Sequence, residues 1–347
     1  MAQSENLINA TARHSIYLEG LKAGEANKIA PFIKQMDAVL RSRLSTDGRS
    51  LKLIAEINKE LKIIFGEYTE LTTDNLRDIA EYEAGFEGRS LDKIGVDTVM
   101  PPPAQIHAAV FASPLSVRGA GGGKLLDPFI SDWAVSDRKL LTGIIRQGFA
   151  EGRTNSQILR DIRGTAKAKF NDGALATVDR HGRAIVRTSV QHTASVARAK
   201  VWDDNKDIIK GYRWLSTLDS RTSSQCRALD GTLFKVGKGP MPPIHISCRS
   251  STTAELDDRY SFLSEDSTRA SKDGPVDASE TYYGFLAKQN ADFQDSVIGP
   301  TLGKVLRDGD LSETRFARMQ LDRQFNPLTI KEMEKLEPLA FKKAGIT

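Results

Sequence analysis

The densest chemistry in the sequence lies between positions 214 and 249, a segment that holds both cysteines of the chain and one histidine. Cys226 stands alone, whereas His245 and Cys248 have the spacing His-x-x-Cys, which lets both side chains face one ion across a turn. Thiolate and imidazole are the ligands that zinc favours in a tetrahedral shell. These three residues are therefore candidate ligands of a structural zinc ion, with Asp219 or a water molecule as the fourth ligand.

The same residues permit other interpretations. Cys226 and Cys248 can pack as small apolar side chains, or they can form a disulfide, which suits a secreted protein better than a cytosolic one. Cys226 and His245 can also act as a nucleophile and its base. The zinc deaminase pattern is not met, because Ile246 and Ser247 follow His245 where x-Glu is required. A packed structural role is favoured, and the alternatives stay open.

Several neighbours of this cluster are typical of turns and local scaffolding. The Asp219 side chain suits a turn in which it accepts the backbone N–H of Arg221, and the two side chains also suit an ion pair. Thr222 or Ser223 is a candidate N-cap of a short helix. The Asp230-Gly231 pair favours a turn before a strand. The residues predicted to have a structural role are Trp214, Asp219, Arg221, Thr222, Asp230, Gly231 and Arg249.

No catalytic motif stands out elsewhere in the sequence. The glycine run at 119–123 precedes Lys124, but a phosphate-binding loop would need glycine at Arg118 and a hydroxyl at Leu125. A hinge or exposed loop is predicted there instead. The sequence shows no paired-carboxylate site, no Ser/His/Asp arrangement and no dinucleotide fingerprint. An enzyme is therefore not predicted.

The elements that must position these residues are predicted mainly as helices. Apolar residues at helical spacing predict helices over 29–40 and 54–71, and a further helix that begins at Thr73 or Asp74. His14 is placed in a mobile end. A long helix is predicted over about 175–203, and short strands over 209–215 and 231–234.

The last eighty residues are predicted as a polar linker followed by helices. Residues 264–279 have the polar composition of a linker, and apolar residues return from Glu280 onward. A final helix over 328–336 has Thr329 as its N-cap and Glu332 three residues later, which is a capping box.

Composition limits the class of protein. The chain has 347 residues, of which 39% are hydrophobic and 27% charged, as expected for soluble globular domains. It has no run of about 20 apolar residues and no secretory signal at its start, so we expect a cytosolic product that does not span a membrane. A net charge of +4 is mild for a dedicated DNA-coating protein.

The segment from Trp214 to Arg249 resembles the signature of the phage Mu F-type head morphogenesis proteins, also called minor head proteins. The ordered set is Asp-x-Arg-Thr, Cys, Asp-Gly, Pro-Pro-x-His and Cys-Arg. The preceding helices and the C-terminal segments 282–289 and 298–300 are similar as well, so the resemblance covers about residues 130–336. Many relatives end the motif Cys-Arg-Cys, whereas Ser250 follows Cys248-Arg249 here, which weakens the case for a complete zinc site.

The helical spacing of the N-terminal region, which resembles the family only loosely, and the resemblance of the rest together predict a mostly helical α+β protein in three parts. Residues 1–125 form a helical N-terminal region with a glycine-rich hinge. Residues 126–262 form the Mu F-type domain, with helices and a small antiparallel β element. Residues 263–347 form the linker and a helical C-terminal extension.

The resemblance also implies a structural virion component that is not an enzyme. Such a protein assembles in the bacterial cytoplasm and lies inside the capsid near the portal, where it takes part in procapsid assembly and in DNA packaging or ejection. The expected partners are the portal protein and a capsid or scaffolding protein, with non-specific contact to packaged DNA. The alternatives are a DNA-associated protein that is ejected with the genome and an enzyme that uses the Cys/His cluster.

Overall fold

The computed structural model describes residues 7–45, 48–119, 122–260 and 268–346. Within these ranges the protein is mostly helical, with one small antiparallel sheet and one β-hairpin, which confirms the predicted α+β class. The helices are α1 (Leu7–Asn27), α2 (Ala30–Leu44), α3 (Leu51–Lys93), α4 (Pro103–Ala112), α5 (Leu126–Ala150), α6 (Asn155–Arg163), α7 (Ala174–Asp204), α8 (Ser224–Leu229), α9 (Tyr282–Ala287), α10 (Ala291–Ile298), α11 (Pro300–Asp308), α12 (Glu313–Arg318), α13 (Ile330–Leu336) and α14 (Pro338–Lys343). The strands are β1 (Ile209–Leu215), β2 (Leu233–Phe234), β3 (Ser251–Leu256), β4 (Thr268–Ser271) and β5 (Gly274–Asp277).

Helix α7 is the central helix of the fold and is buried along most of its length. Small buried residues such as Ser189, Ala194 and Ser195 let the neighbouring helices come close to its backbone. Helices α1, α3, α4 and α5 all pack against it. Near its C-terminal end, the buried ring of Trp202 stacks on Tyr212 of β1, with ring centroids 5.8 Å apart. Helix α7 thus joins the N-terminal helices to the sheet.

Helix α3 is one continuous helix of 43 residues, about 65 Å long at 1.5 Å per residue. The prediction of a separate helix that begins at Thr73 or Asp74 is wrong. The stripe of buried residues continues through this region from Tyr68 to Leu76 and Ile79, so packing against α7 and α5 favours an unbroken helix. No helix among the described residues, α3 included, has the length and apolar content needed to cross a membrane.

The mobile end predicted around His14 is also wrong, because the described part of this region is helix α1. Its buried face carries the polar residues Thr11, His14 and Lys22 beside Leu18. Nε2 of His14 lies 2.8 Å from Oε1 of Glu83 on α3, and both side chains are buried. Because the buried face of α1 carries polar side chains with polar partners, the helix lacks the apolar stripe by which a helix is usually recognised in a sequence.

The main sheet has the order β2-β1-β3, and both pairings are antiparallel. Tyr212 of β1 faces Phe234 of β2, and Trp214 faces Thr252 of β3. The strands predicted at 209–215 and 231–234 are therefore present, although the second is shorter than predicted. Strand β3 had no sequence signal of its own, and it follows directly on the Cys248-Arg249 motif.

The predicted linker contains a β-hairpin. Strands β4 and β5 pair from Thr268↔Asp277 to Ser271↔Gly274, and residues 261–267 lie outside the described ranges. The helices from α9 to α14 then form a second apolar cluster, which includes Tyr283 and Phe316. The predicted capping box of the last segment is confirmed: the Thr329 hydroxyl accepts the Glu332 N–H, and the Glu332 carboxylate accepts the Thr329 N–H.

The described residues of the glycine run, Gly119, Gly122 and Gly123, lie between α4 and α5. The N–H of Leu115 donates to the Lys124 carbonyl at 2.8 Å, and the Gly123 N–H donates back to Leu115 at 3.0 Å. The Lys124 ammonium pairs with Asp132 at 2.6 Å. Positions 120 and 121 of the predicted hinge lie outside the described ranges.

Candidate functional site

The three candidate ligands are brought together by helix α8 and by the loop that precedes β3. The Ser223 hydroxyl caps α8 by accepting the N–H of Cys226 at 3.3 Å. The loop residue Ser247 has φ +56, and its N–H donates to the Thr188 hydroxyl of α7 at 3.0 Å. The Cys248 N–H closes a turn onto the His245 carbonyl at 3.2 Å. Both segments are therefore fixed by local hydrogen bonds.

The side chains of Cys226, His245 and Cys248 converge on one point. The two sulfur atoms lie 3.7 Å apart, and Nε2 of His245 lies 3.3 Å from Sγ of Cys226. The three potential ligand atoms all lie within 4.8 Å of one another. Both cysteines are buried and free of disulfides, whereas His245 is half-buried.

The imidazole of His245 is oriented by a backbone carbonyl. Its Nδ1 donates to the carbonyl of Ile246 at 3.0 Å. Nε2 therefore faces the sulfur atoms, and it also lies 2.9 Å from the Ser223 hydroxyl. Such a bond on one ring nitrogen selects the tautomer whose other nitrogen has a lone pair for a ligand or a proton.

The three side chains of the cluster shift one another's pKa values. The hydrogen bond with Cys248 and burial raise the pKa of the Cys226 thiol well above its ordinary value. Burial also disfavours a thiolate at Cys248, but hydrogen bonds with Cys226 and His245 and the charge of His245 lower the pKa of Cys248 well below its ordinary value. Burial disfavours the imidazolium as well, yet the thiolate of Cys248 raises the pKa of His245. These opposite directions favour the thiolate at Cys248 over Cys226.

The backbone carbonyls of the two cysteines are held by buried polar groups. The Ser216 hydroxyl donates to the carbonyl of Cys226 at 2.7 Å. The Lys22 ammonium of α1 donates to the carbonyl of Cys248 at 3.0 Å, and also to Glu19 at 2.6 Å. Burial lowers the pKa of Lys22 despite the nearby Glu19 carboxylate. Helix α1 thereby contacts the cluster directly.

Asp219 pairs with Arg249 and does not belong to the Cys/His group. Its carboxylate accepts two hydrogen bonds from the Arg249 guanidinium, at 2.6 and 2.9 Å. It also accepts the Arg221 N–H at 3.0 Å and the Thr222 hydroxyl at 3.3 Å, which is the predicted turn. Burial raises the pKa of Asp219, but the bonds and charge of Arg249 bring it below the ordinary value. A role as fourth metal ligand is therefore not supported by the geometry.

Asp230 occupies a second buried ionic site, which the sequence did not indicate. Its carboxylate receives both terminal nitrogens of the Arg269 guanidinium, at 2.8 and 2.9 Å. It also accepts the backbone N–H groups of Ser216 at 2.6 Å and Tyr282 at 2.7 Å. Arg269 is 39 residues away on β4, so no local motif pointed to it. This aspartate connects α8 to the C-terminal extension.

Trp214 and Gly231 complete the scaffold. The indole of Trp214 is fully buried beside Cys226 and Cys248, and its N–H donates to Ser216 at 3.1 Å. Gly231 has φ +77, a backbone conformation that favours glycine, and its N–H donates to the Trp214 carbonyl at 2.9 Å. Trp214 of β1 therefore belongs to the apolar surroundings of the two cysteines.

Comparison with known proteins identifies the segment that carries this site. Residues 141–253 match the family model described as Phage Mu protein F like protein. No curated protein matches the chain, and no solved structure matches it. The matched segment runs from within α5 to within β3 and includes Cys226, His245 and Cys248. Residues 141–253 of this chain therefore form a domain of the Mu F-like kind, which supports a relation to the phage head proteins of that family.

Proposed function

We propose that this chain is a minor head protein that takes part in procapsid assembly at the portal vertex, where it lies inside the capsid. The observation that carries the proposal is the family match over residues 141–253. The buried positions of Cys226 and Cys248 support a structural role for the site. A nucleophile must reach its substrate, and the sulfur atoms here are enclosed by Trp214, Leu229 and Ile244.

Exposed apolar side chains on α3 support binding to another subunit. Leu51, Ile63 and Leu71 are exposed large apolar residues of this helix, and Tyr82 lies farther along it. The Tyr82 ring stands 5.5 Å from that of Tyr17 on α1, which is half-exposed as well. Interface cores are enriched in aromatic residues and depleted in charged ones. We therefore propose that the portal protein, rather than DNA, is the principal partner.

The test is co-purification of the full chain with the portal protein of the same phage, at low and at high salt. An apolar interface predicts a complex of fixed stoichiometry that persists at high salt. Contact with phosphates predicts loss of binding with rising salt, because counterion release makes such binding steeply salt-dependent. A complex that survives high salt supports the proposal, and the absence of a complex at every salt concentration refutes it.

Matched surface variants sharpen this test. Ile63→Lys with Leu71→Lys adds charge to the exposed face of α3, and Ile330→Lys with Leu339→Lys adds the same charge to exposed positions of the C-terminal extension. All four side chains are exposed, so we expect both variants to fold. Selective loss of portal binding in the α3 variant supports the proposed surface. If only the Ile330→Lys/Leu339→Lys variant loses portal binding, the chain still binds the portal protein, but through its C-terminal helices rather than through α3.

The DNA-associated alternative is tested in the same experiment. The net charge of +4 allows DNA to lie nearby. Retention of the chain on DNA at low salt, with no portal complex, would favour a protein that is ejected with the genome. A capsid or scaffolding protein is a further expected partner and can be added to the same co-purification.

A further inference from the structure

The spacing of the Cys226, His245 and Cys248 side chains matches that of ligands around one zinc ion. Zinc–sulfur bonds of about 2.3 Å and zinc–nitrogen bonds of about 2.05 Å, at tetrahedral angles, place two sulfur atoms about 3.8 Å apart and sulfur and nitrogen about 3.6 Å apart. The structure has 3.7 Å between the sulfur atoms and 3.3 Å between Sγ of Cys226 and Nε2 of His245. A disulfide would need about 2.05 Å between the sulfur atoms.

The orientation of the ligands agrees with the spacing. The Nδ1–H of His245 donates to the Ile246 carbonyl, so Nε2 is the nitrogen that faces the sulfur atoms. The backbone carbonyl of each cysteine is fixed by a buried donor, Ser216 for Cys226 and Lys22 for Cys248. Such supporting hydrogen bonds are typical of metal sites, because they hold ligands at the required positions before the ion enters.

The fourth position faces hydroxyl groups rather than a carboxylate. The Ser223 hydroxyl lies 2.9 Å from Nε2 of His245. The buried Ser250 hydroxyl lies 3.3 Å from the Ser216 hydroxyl, which donates to the carbonyl of Cys226. Asp219 is held by Arg249. Three protein ligands therefore leave room for a water molecule or a serine hydroxyl as the fourth.

We propose that Cys226, His245 and Cys248 bind a single zinc ion, which ties helix α8 to the loop before β3. The donor set of two sulfur atoms and one imidazole selects zinc over calcium or magnesium, which prefer oxygen ligands. Two thiolates neutralise the divalent charge, so the buried site carries no net charge when loaded. The ion would add a direct link between helix α8 and this loop, beyond the hydrogen bonds that hold each of them.

The test begins with the full chain purified without chelators. Elemental analysis is expected to give about one zinc per chain. After removal of the metal, titration with Co²⁺ alone is expected to give a thiolate-to-cobalt charge-transfer band and the intense d–d absorption of tetrahedral coordination. Addition of Zn²⁺ should displace the cobalt. Octahedral cobalt spectra without the charge-transfer band, or protein that binds neither ion, overturn the proposal.

Variants assign the ligands. Cys226→Ser, Cys248→Ser and His245→Gln are each expected to weaken zinc binding by at least roughly 100-fold. His181→Gln is the matched control, because this half-exposed histidine pairs with Asp137 outside the cluster. Unchanged zinc affinity in the three cluster variants overturns the assignment. If a variant fails to fold, the cobalt spectrum of the unmodified chain still decides the question.

A gain-of-ligand variant supplies an independent check. Ser250→Cys places a thiol beside Cys226 and is expected to strengthen the charge-transfer band and tighten zinc binding roughly tenfold. Ser250→Ala is its control and should leave the ion bound. Failure of Ser250→Cys to change either the spectrum or the affinity refutes the placement of the open position beside Ser250.

Discussion

Replacement of Arg269 by glutamine removes the cation from the buried carboxylate of Asp230. The Asp230 side chain is 0% exposed and that of Arg269 is 4% exposed, so neither charge is solvated in the folded chain. The carboxylate accepts four hydrogen bonds, two from Arg269 and one each from the N–H groups of Ser216 and Tyr282. Arg269→Gln therefore leaves a buried charge with two backbone donors.

The expected loss of stability is large. Removal of one partner from a buried ion pair costs about 3–5 kcal/mol, because the remaining charge stays uncompensated. Asp230→Asn combined with Arg269→Gln removes both charges, so its cost should be smaller than the sum of the two single changes. Arg213→Gln is the control, since Arg213 and Glu255 form an ion pair at 3.2 Å with side chains 29% and 25% exposed. That change should cost about 1 kcal/mol or less.

The assay is urea unfolding of the full chain, followed by tryptophan fluorescence and by limited proteolysis. The free energy of unfolding comes from the midpoint and slope of each curve. Proteolysis reports whether the hairpin β4-β5 and helix α9 detach first, as expected when the side chain at position 269 no longer holds the hairpin to Asp230. A loss within about 1 kcal/mol for Arg269→Gln, equal to that of the Arg213→Gln control, would refute the role given to this pair.

Three further predictions concern single residues of the matched domain. Burial lowers the pKa of His192 to about 4, against about 6.5 in the unfolded chain, so the free energy of unfolding should fall by about 3 kcal/mol as the pH drops from about 6.5 towards 4. In urea unfolding at each pH, His192→Asn should lack this part of the acid loss. Equal pH profiles for the variant and the unmodified chain would contradict the prediction. Trp214→Ala should lower the free energy of unfolding by about 3–5 kcal/mol because its indole is fully buried. A loss below about 1 kcal/mol would contradict this, because it would mean that neighbouring side chains fill the space left by the indole. Thr154→Ala removes the N-cap of α6, whose hydroxyl accepts the Gln157 N–H, and should cost about 1 kcal/mol in the same assay, with Thr154→Ser as the control that keeps the cap.

Local patterns were sufficient to predict much of the fold. The apolar stripe of α3 and the capping box at Thr329 and Glu332 depend on residues within one or two turns of each other, so the sequence displays them directly. The spacing of His245 and Cys248 likewise indicated that their side chains could meet. Cys226 was a third predicted ligand, and the structure shows that α8, capped by Ser223, brings it to this pair.

Long-range polar packing could not be predicted in the same way. Helix α1 buries His14 and Lys22 against partners on α3 and α7, so it lacks the apolar stripe that marks other helices. Arg269 stands in a polar stretch that has the composition of a linker, and only the folded chain brings it to Asp230. In both cases the burial of a charge depends on a partner that is distant along the chain.

The contact between Asp230 and Arg269 crosses the end of the family domain, because Asp230 lies within residues 141–253 and its partner lies beyond them. This buried ion pair therefore links the segment that matches the family model to residues that follow it in the chain. In a relative where a different C-terminal region follows the domain, we expect either another cation at this aspartate or an uncharged residue in its place. Residues 230 and 269 should thus change together during evolution, and their joint identity would mark which C-terminal regions can be exchanged between relatives.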